Sequence, residues 1–119
     1  MKTKEDEQAS LQSLQRRIVE FRDARDWGQF HDPKNLAISL SLEANELLEL
    51  FLWKDAAQAA PARVSDELAD VIHTALLIAD HYDIDISQAC SKKLEQNEQK
   101  YPVEVSKGKN LKYTELMTD

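Results

Sequence analysis

Two apolar segments of this chain each carry a pair of acidic residues three positions apart. Glu43 and Glu46 lie in the first segment, and Glu67 and Asp70 lie in the second. Residues at this spacing project from nearly the same face of a helix, so each segment would present two carboxylates together. Antiparallel packing of the two helices would bring all four to one place, where they must protonate or bind a cation. Four oxygen ligands suit a hard ion such as Mg2+ and argue against zinc.

The immediate neighbours of these acids are apolar, which argues against a plain helical bundle with solvated acidic faces. Asp70, for example, lies between Ala69 and Val71. Burying an unpaired carboxylate is costly. The basic residue that could pair with one of them is Arg63, four positions before Glu67.

The composition predicts one all-α domain over residues 1–119, with about 1–6 and 103–119 less regular. Only two glycines and three prolines occur among the 119 residues, which leaves little material for the turns of an all-β fold. The net charge of -7 argues against binding to nucleic-acid polymers or to a membrane surface. A single cysteine, Cys90, favours a cytoplasmic location and is expected to pack in the interior.

Apolar spacing predicts four helices, over about residues 7–27, 33–53, 61–82 and 85–101. Asp32 is the expected N-cap of the second helix, with Pro33 at its first position. The apolar residues of the third helix cover more than one stripe, so it must be buried on several sides. We therefore expect a homo-oligomer whose interface includes the third helix.

A wider pattern of residues surrounds the acidic pairs. It consists of Arg25, Asp26, Trp27, Gln29, Phe30, His31, Pro33, Asn35 and Leu36, then Glu49, Leu50, Phe51, Trp53 and Lys54, and finally Asn97, Gln99, Tyr101, Pro102, Val103, Lys112, Tyr113 and Thr114. In this pattern, over about residues 14–116, the chain resembles the all-α nucleoside triphosphate pyrophosphohydrolases of the MazG superfamily, on the dCTP pyrophosphatase branch. Leu42 stands where the general signature of the superfamily has its first glutamate, and that branch also has a non-acidic residue there.

The resemblance implies a four-helix MazG-like bundle assembled as a homotetramer, in the form of a dimer of dimers. It also implies Mg2+-dependent hydrolysis of a dNTP to the monophosphate and pyrophosphate, with Mn2+ as a substitute ion. We assign Glu43, Glu46, Glu67 and Asp70 as the metal ligands. The attacking water needs a base, and Glu46 or Glu49 is the expected residue.

A further set of residues is expected to bind the substrate. The aromatic members would stack on the base, the lysines would meet the triphosphate, and Asn97 would read the base edge or a sugar hydroxyl. The set is Trp27, His31, Trp53, Lys93, Asn97, Lys100, Tyr101, Lys112 and Tyr113.

Two positions bear on the choice of base. Animal relatives on this branch have a histidine where this chain has Ile18 and a tyrosine where it has Thr74. An apolar wall discriminates between substrates less strongly than a buried hydrogen-bonding group. We therefore expect dCTP or a modified dCTP as a good substrate and allow dATP. The resemblance also implies a house-cleaning role in the nucleotide pool.

Two other interpretations remain open. A non-catalytic oligomeric module that binds or senses nucleotides would need the same ligand set, because ligands indicate binding more directly than turnover. A di-iron bundle would need Glu-x-x-His pairs, and Asp70 with His73 is the single comparable spacing.

Overall fold

The computed structural model describes residues 10–116, apart from the side chains of Tyr113 and Leu116. Every regular element in this part of the chain is helical, and it contains no strand, which confirms the predicted all-α class. The α-helices are α1 (Leu11–Ala24), α2 (Pro33–Glu49), α3 (Pro61–His81), α4 (Ile86–Lys100), α5 (Val103–Ser106) and α6 (Tyr113–Leu116). Two short 3-10 helices, Gly28–Phe30 and Ala56–Gln58, lie in the connections.

Side-chain caps and prolines fix where the first three helices begin. Ser10 caps α1, because its hydroxyl accepts a hydrogen bond from the Ser13 amide at 3.0 Å. Asp32 caps α2 in the same way, accepting from the Asn35 amide at 2.7 Å, and Pro33 follows at the first helical position. The predicted start of α2 is therefore confirmed. The start predicted for α1, near residue 7, lies outside the described residues.

The first helix ends earlier than its apolar spacing predicts. Asp26 adopts a left-handed conformation, with φ of 54°. Its amide donates to the Asp23 carbonyl at 3.1 Å, and the Trp27 amide donates to the Arg22 carbonyl at 3.1 Å. These two bonds form a Schellman motif, which closes the helix at Ala24 before Gly28 is reached.

The second helix also ends early, at Glu49 instead of near Trp53. The next amides turn to three-residue bonds, with Leu50 donating to Leu47 at 3.2 Å and Phe51 donating to Leu48 at 2.9 Å. Trp53 then takes a left-handed conformation, with φ of 62°. The chain therefore turns away from α2 although the apolar residues continue.

The residues form two compact units, Met1–Asp85 and Ile86–Asp119, described here over residues 10–85 and 86–116. In the first unit, α3 packs against both α2 and α1. Gln15 of α1 donates its side-chain amide to the Leu76 carbonyl of α3 at 3.1 Å. The apolar core of this unit consists of Ile18, Leu36, Leu50, Leu76, Leu77 and Ala79.

The second unit holds α4, α5 and α6. The region from residue 103 onward, predicted to be irregular, contains two single-turn helices within the described residues. Cys90 was predicted to pack in the interior and is instead exposed on α4, since that helix buries no residue fully. Over residues 10–116, every helix is too short or too polar to cross a lipid bilayer.

Candidate active site

The acidic pairs of α2 and α3 meet in the first unit. Glu43, Glu46, Glu67 and Asp70 each place one carboxylate oxygen within 4.8 Å of the oxygens of the other three. The pairs come from the consecutive helices α2 and α3, which pack against each other. The spacing of three residues within each helix gives each pair a common face. We call these four residues the acidic cluster.

Two of the four carboxylates in the acidic cluster are partly shielded from solvent. Glu43 and Glu67 are half-buried, and the Oε2 atom of each is buried with no hydrogen-bond partner among residues 10–116. Burial raises the pKa of the Glu43 carboxyl, and repulsion from Glu46 and Asp70 raises it further. Burial also raises the pKa of Glu67, with Glu46 adding to the effect. A buried carboxylate oxygen that accepts no hydrogen bond lowers the stability of the folded protein.

The donor set fits a divalent cation. Opposite oxygens around an octahedral Mg2+ lie about 4.2 Å apart, since each Mg–O distance is about 2.1 Å. The four oxygens of the acidic cluster all lie within 4.8 Å of one another, which is compact enough for one divalent ion to reach them. All four ligands are carboxylates, which suits a hard ion and would relieve both the repulsion and the two unmatched oxygens.

A cavity of about 400 Å³ adjoins the acidic cluster. We call it the cationic cavity because two basic side chains contribute to its wall. Its lining residues are Glu46, Glu49, Leu50, Lys54, Arg63 and Glu67. Glu49, which is predicted as an alternative base to Glu46, therefore lies beside the acidic cluster. Its carboxylate accepts a hydrogen bond from the side-chain amide of Asn45 at 3.2 Å.

Lys54 and Arg63 line the cationic cavity but are not among the predicted site residues. Arg63 precedes Glu67 by one helical turn, and that spacing was the available signal. Lys54 follows the left-handed Trp53 beyond the end of α2, and its place in the wider sequence pattern was the available signal.

The aromatic residues predicted to contact the base lie in different settings. Trp27 is partly exposed and packs edge-to-face against Phe21, with ring centroids 5.7 Å apart. The guanidinium of Arg25 lies 3.7 Å from the Phe21 centroid. Trp53 is 100% exposed, so its ring makes no contribution to the core of the unit.

His31 is half-buried after the first 3-10 helix, and its Nδ1 atom is buried with no hydrogen-bond partner among the described residues. Burial lowers the pKa of its imidazole, and the nearby charges of Arg22 and His73 lower it further. The ring is therefore neutral at physiological pH and can accept or donate a hydrogen bond to a ligand.

The two positions that bear on base choice are both buried. Ile18 lines a cavity of about 380 Å³ together with Leu14, Arg17, Phe21 and His73. Thr74 lies one turn after Asp70 and donates its hydroxyl to the Asp70 carbonyl at 3.1 Å. The hydroxyl proton of Thr74 is therefore already used in a hydrogen bond within α3.

The other predicted substrate-binding residues belong to the second unit. Lys93, Asn97 and Lys100 lie on α4, at spacings that place them on one face, and the Tyr101 amide donates to the Asn97 carbonyl at 2.8 Å. Lys112 directly precedes α6 and is exposed, and Tyr113 begins that helix. Their role in substrate binding stays a prediction.

Comparison with known proteins places this geometry in context. The sequence model of the MazG-like family matches residues 38–116, which contain both acidic pairs. The dCTP pyrophosphatase 1 of Rattus norvegicus is 38% identical over 115 residues, covering 90% of this chain and 68% of the relative. The dCTP pyrophosphatase 1 of Homo sapiens is 35% identical with the same coverage.

A solved structure is also similar. A pyrophosphatase from Archaeoglobus fulgidus superposes with a TM-score of 0.71 at 38% sequence identity, covering 77% of this chain and 92% of that one. The predicted resemblance to the dCTP pyrophosphatase branch is confirmed by these relatives. The chain belongs to the MazG-like family.

Proposed function

We propose that this chain hydrolyses deoxynucleoside triphosphates to the monophosphate and pyrophosphate, with Mg2+ held by the acidic cluster and Mn2+ able to replace it. The observation that carries the proposal is the convergence of four carboxylates, two of which have a buried oxygen without a partner. The similar proteins named as pyrophosphatases support the enzyme class, a nucleoside triphosphate pyrophosphohydrolase.

Catalysis would divide between the acidic cluster and the base beside it. A bound Mg2+ would screen the phosphate charge and acidify a water molecule. Glu46 or Glu49 takes the proton of the water that attacks the α-phosphorus. The new bond joins that water oxygen to phosphorus, the bond to the bridging oxygen breaks, and pyrophosphate leaves with the electron pair. Positioning by the helices supplies much of the rate enhancement.

We propose that Trp27 and Trp53 stack on the base and that neutral His31 hydrogen-bonds to the nucleoside. The exposed ring of Trp53 and the unmatched Nδ1 of His31 support these roles. The buried Ile18 gives an apolar wall, which discriminates modestly between bases. The substrates would be dCTP or a modified dCTP, with dATP accepted, in a house-cleaning role.

We propose that residues of α4 and of the segment after it also bind the substrate. Lys93, Lys100 and Lys112 supply positive charge, while Asn97 supplies an amide for the base edge or a sugar hydroxyl. Tyr101 and Tyr113 complete this set of substrate contacts. These assignments rest on the resemblance and on the shared face of α4.

We also propose a homo-oligomer of four-helix bundles, as a dimer of dimers, in the cytoplasm. Exposed apolar pairs at helical spacing support an interface on α2 and α3. Ile38 and Leu42 form one pair and Leu68 and Ile72 the other, each residue 45–59% exposed. The single cysteine supports a reducing compartment.

The decisive experiment assays pyrophosphate release from a panel of dNTPs with and without Mg2+. We expect Glu46→Gln and Asp70→Asn to reduce kcat/KM at least about 100-fold, because each removes a charge from the acidic cluster. Glu20→Gln and Asp66→Asn make the same charge changes on exposed positions outside it and should retain activity. Tight dCTP binding by the wild type without any release would instead identify a nucleotide sensor.

A further inference from the structure

The cationic cavity has an uneven distribution of charge. Leu50 is the C-cap of α2, so the carbonyl end of that helix meets the cavity beside Glu46 and Glu49. Arg63 is the third residue of α3 and lies at the positive end of that helix. The cavity wall therefore combines groups that suit a cation with groups that suit an anion.

The two basic side chains are available to a ligand. Lys54 and Arg63 are both exposed, and neither forms an ion pair within 4.0 Å over residues 10–116, although three carboxylates line the same cavity. By contrast, Arg22 of α1 pairs with both Asp23 and Asp80 at 2.9 and 3.2 Å. The charge of Arg63 offsets part of the rise in the pKa of Glu67. Its guanidinium can still offer two parallel donors to a phosphate, and Lys54 offers a point charge.

The size of the cationic cavity also fits a ligand. Its volume of about 400 Å³ lies within the range of small-molecule sites, roughly 300–1,000 Å³. It opens directly from the acidic cluster, because Glu46 and Glu67 line the cavity and belong to the cluster. A phosphate chain whose first phosphorus lies at the acidic cluster can extend into this space.

We propose that the cationic cavity binds the pyrophosphate leaving group, with Lys54 and Arg63 contacting the β- and γ-phosphates. The inference rests on the proposed function and deepens it, since it assigns the leaving group to residues of the first unit. When the bond to the α-phosphorus breaks, negative charge grows on pyrophosphate. Fixed positive groups at that position stabilise this charge in the transition state.

The two products should differ in their dependence on Lys54 and Arg63. Pyrophosphate contacts both basic residues, whereas the nucleoside monophosphate contacts neither. Substitution of Lys54 or Arg63 should therefore weaken pyrophosphate binding and leave monophosphate binding unchanged. A general electrostatic effect would weaken both.

The test measures Kd for pyrophosphate and for dCMP by calorimetry, with Mg2+ present and the full chain. We expect Lys54→Met and Arg63→Gln each to weaken pyrophosphate binding about tenfold or more, the loss typical of one charge-assisted hydrogen bond. Affinity for dCMP should change by less than about twofold. Arg63→Lys should recover part of the loss, since it restores the charge without the planar fork.

Lys34→Met and Arg16→Gln are the matched controls, because they remove the same charges from exposed positions outside the cationic cavity. Circular dichroism of each variant verifies the helical fold. Wild-type affinity for pyrophosphate in both Lys54→Met and Arg63→Gln would overturn the inference, and so would equal losses for dCMP.

Turnover by the wild type separates this inference from the proposed function. If the wild type releases pyrophosphate from a dNTP while the two variants bind pyrophosphate normally, the leaving-group assignment fails and the enzyme assignment stands. If the wild type releases none from any dNTP, the proposed function fails and the leaving-group assignment fails with it.

Discussion

Glu43 and Glu67 place like charges close together and partly shielded from water, an arrangement that destabilises a folded protein without a counter-ion. Each carboxylate has a buried oxygen with no donor, and each is repelled by other members of the acidic cluster. Sites that concentrate charge for function commonly reduce stability in this way. The loss of stability caused by this repulsion should therefore change with pH and with added metal, and both changes can be measured.

We expect the contribution of Glu43 and Glu67 to the stability of the metal-free protein to grow as the pH falls towards their ordinary carboxyl pKa of 4.5. The pKa values of Glu43 and Glu67 are raised in the folded state above the ordinary value of 4.5. The folded state therefore holds protons that the unfolded state has released. This stabilisation is fully present below the unfolded pKa and is lost as the pH rises through the folded pKa. The lowered pKa of His31 acts in the opposite direction, so urea midpoints in EDTA must be compared between the wild type and a variant that lacks one of the two carboxylates.

The matched variant for this prediction is Glu43→Gln, which removes the charge and keeps the shape. Near pH 7.5 it should raise the free energy of unfolding of the metal-free protein by about 0.5–2 kcal/mol. Its midpoint should also depend less on pH than that of the wild type, and it should gain less from added Mg2+. Parallel pH curves for the two proteins would contradict the proposed repulsion.

At the scale of elements, α3 ends in the same motif as α1. Asp83 has φ of 55°, its amide donates to the Asp80 carbonyl at 3.2 Å, and the Ile84 amide donates to the Ala79 carbonyl at 2.8 Å. An aspartate thus occupies the position that glycine usually takes in a Schellman motif. Aspartate tolerates a left-handed backbone better than most residues, although less well than glycine.

We expect Asp83→Gly to retain or raise stability, by up to about 1 kcal/mol, because glycine has no Cβ to strain the turn. Asp83→Ala should lower stability by about 1 kcal/mol, since alanine at positive φ is strained and has no polar side chain to compensate. Urea unfolding of both variants would test the pair. A greater loss for glycine than for alanine would show that the turn conformation does not determine the effect.

The same turns explain which helix boundaries could be predicted. Asp32 followed by Pro33 is a local signal, and the structure confirms it. The ends of α1 and α2 were wrong by several residues, because Asp26 and Trp53 adopt positive φ. Neither residue is a glycine, so no strong local signal predicts a stop there.

At the scale of the whole molecule, the meeting of the four carboxylates could be predicted from the sequence. The three-residue spacing within each pair puts both of its carboxylates on one face of a helix. The shared position of Lys54 and Arg63 could not be predicted in this way. Lys54 lies in the segment between α2 and α3 and Arg63 lies on α3, so their meeting at one cavity depends on how α2 and α3 pack. The role of Lys93, Asn97 and the other residues of the second unit follows from resemblance and stays a prediction.

The exposed apolar residues of α2 and α3 lead to a prediction about assembly. We expect the wild type to have a molar mass close to four times that of its 13.6 kDa subunit. Ile72→Lys places a charge on α3 where the interface is proposed and should shift the mass towards smaller species. Light scattering coupled to size-exclusion chromatography measures both.

Leu11→Lys is the control, because it makes a comparable change at an exposed apolar residue of α1. It should leave the assembled mass unchanged. A wild-type mass equal to one subunit would contradict the oligomer. An assembled mass that persists in Ile72→Lys would show that the interface does not depend on this position.

The wholly exposed ring of Trp53 has an optical consequence. The chain has two tryptophans, and Trp27 is the one that packs against another ring. In a Trp27→Phe protein, all indole fluorescence would arise from a single, water-facing reporter just beyond the end of α2. A nucleobase stacked on that indole would change its emission, so ligand arrival could be followed in real time without a dye.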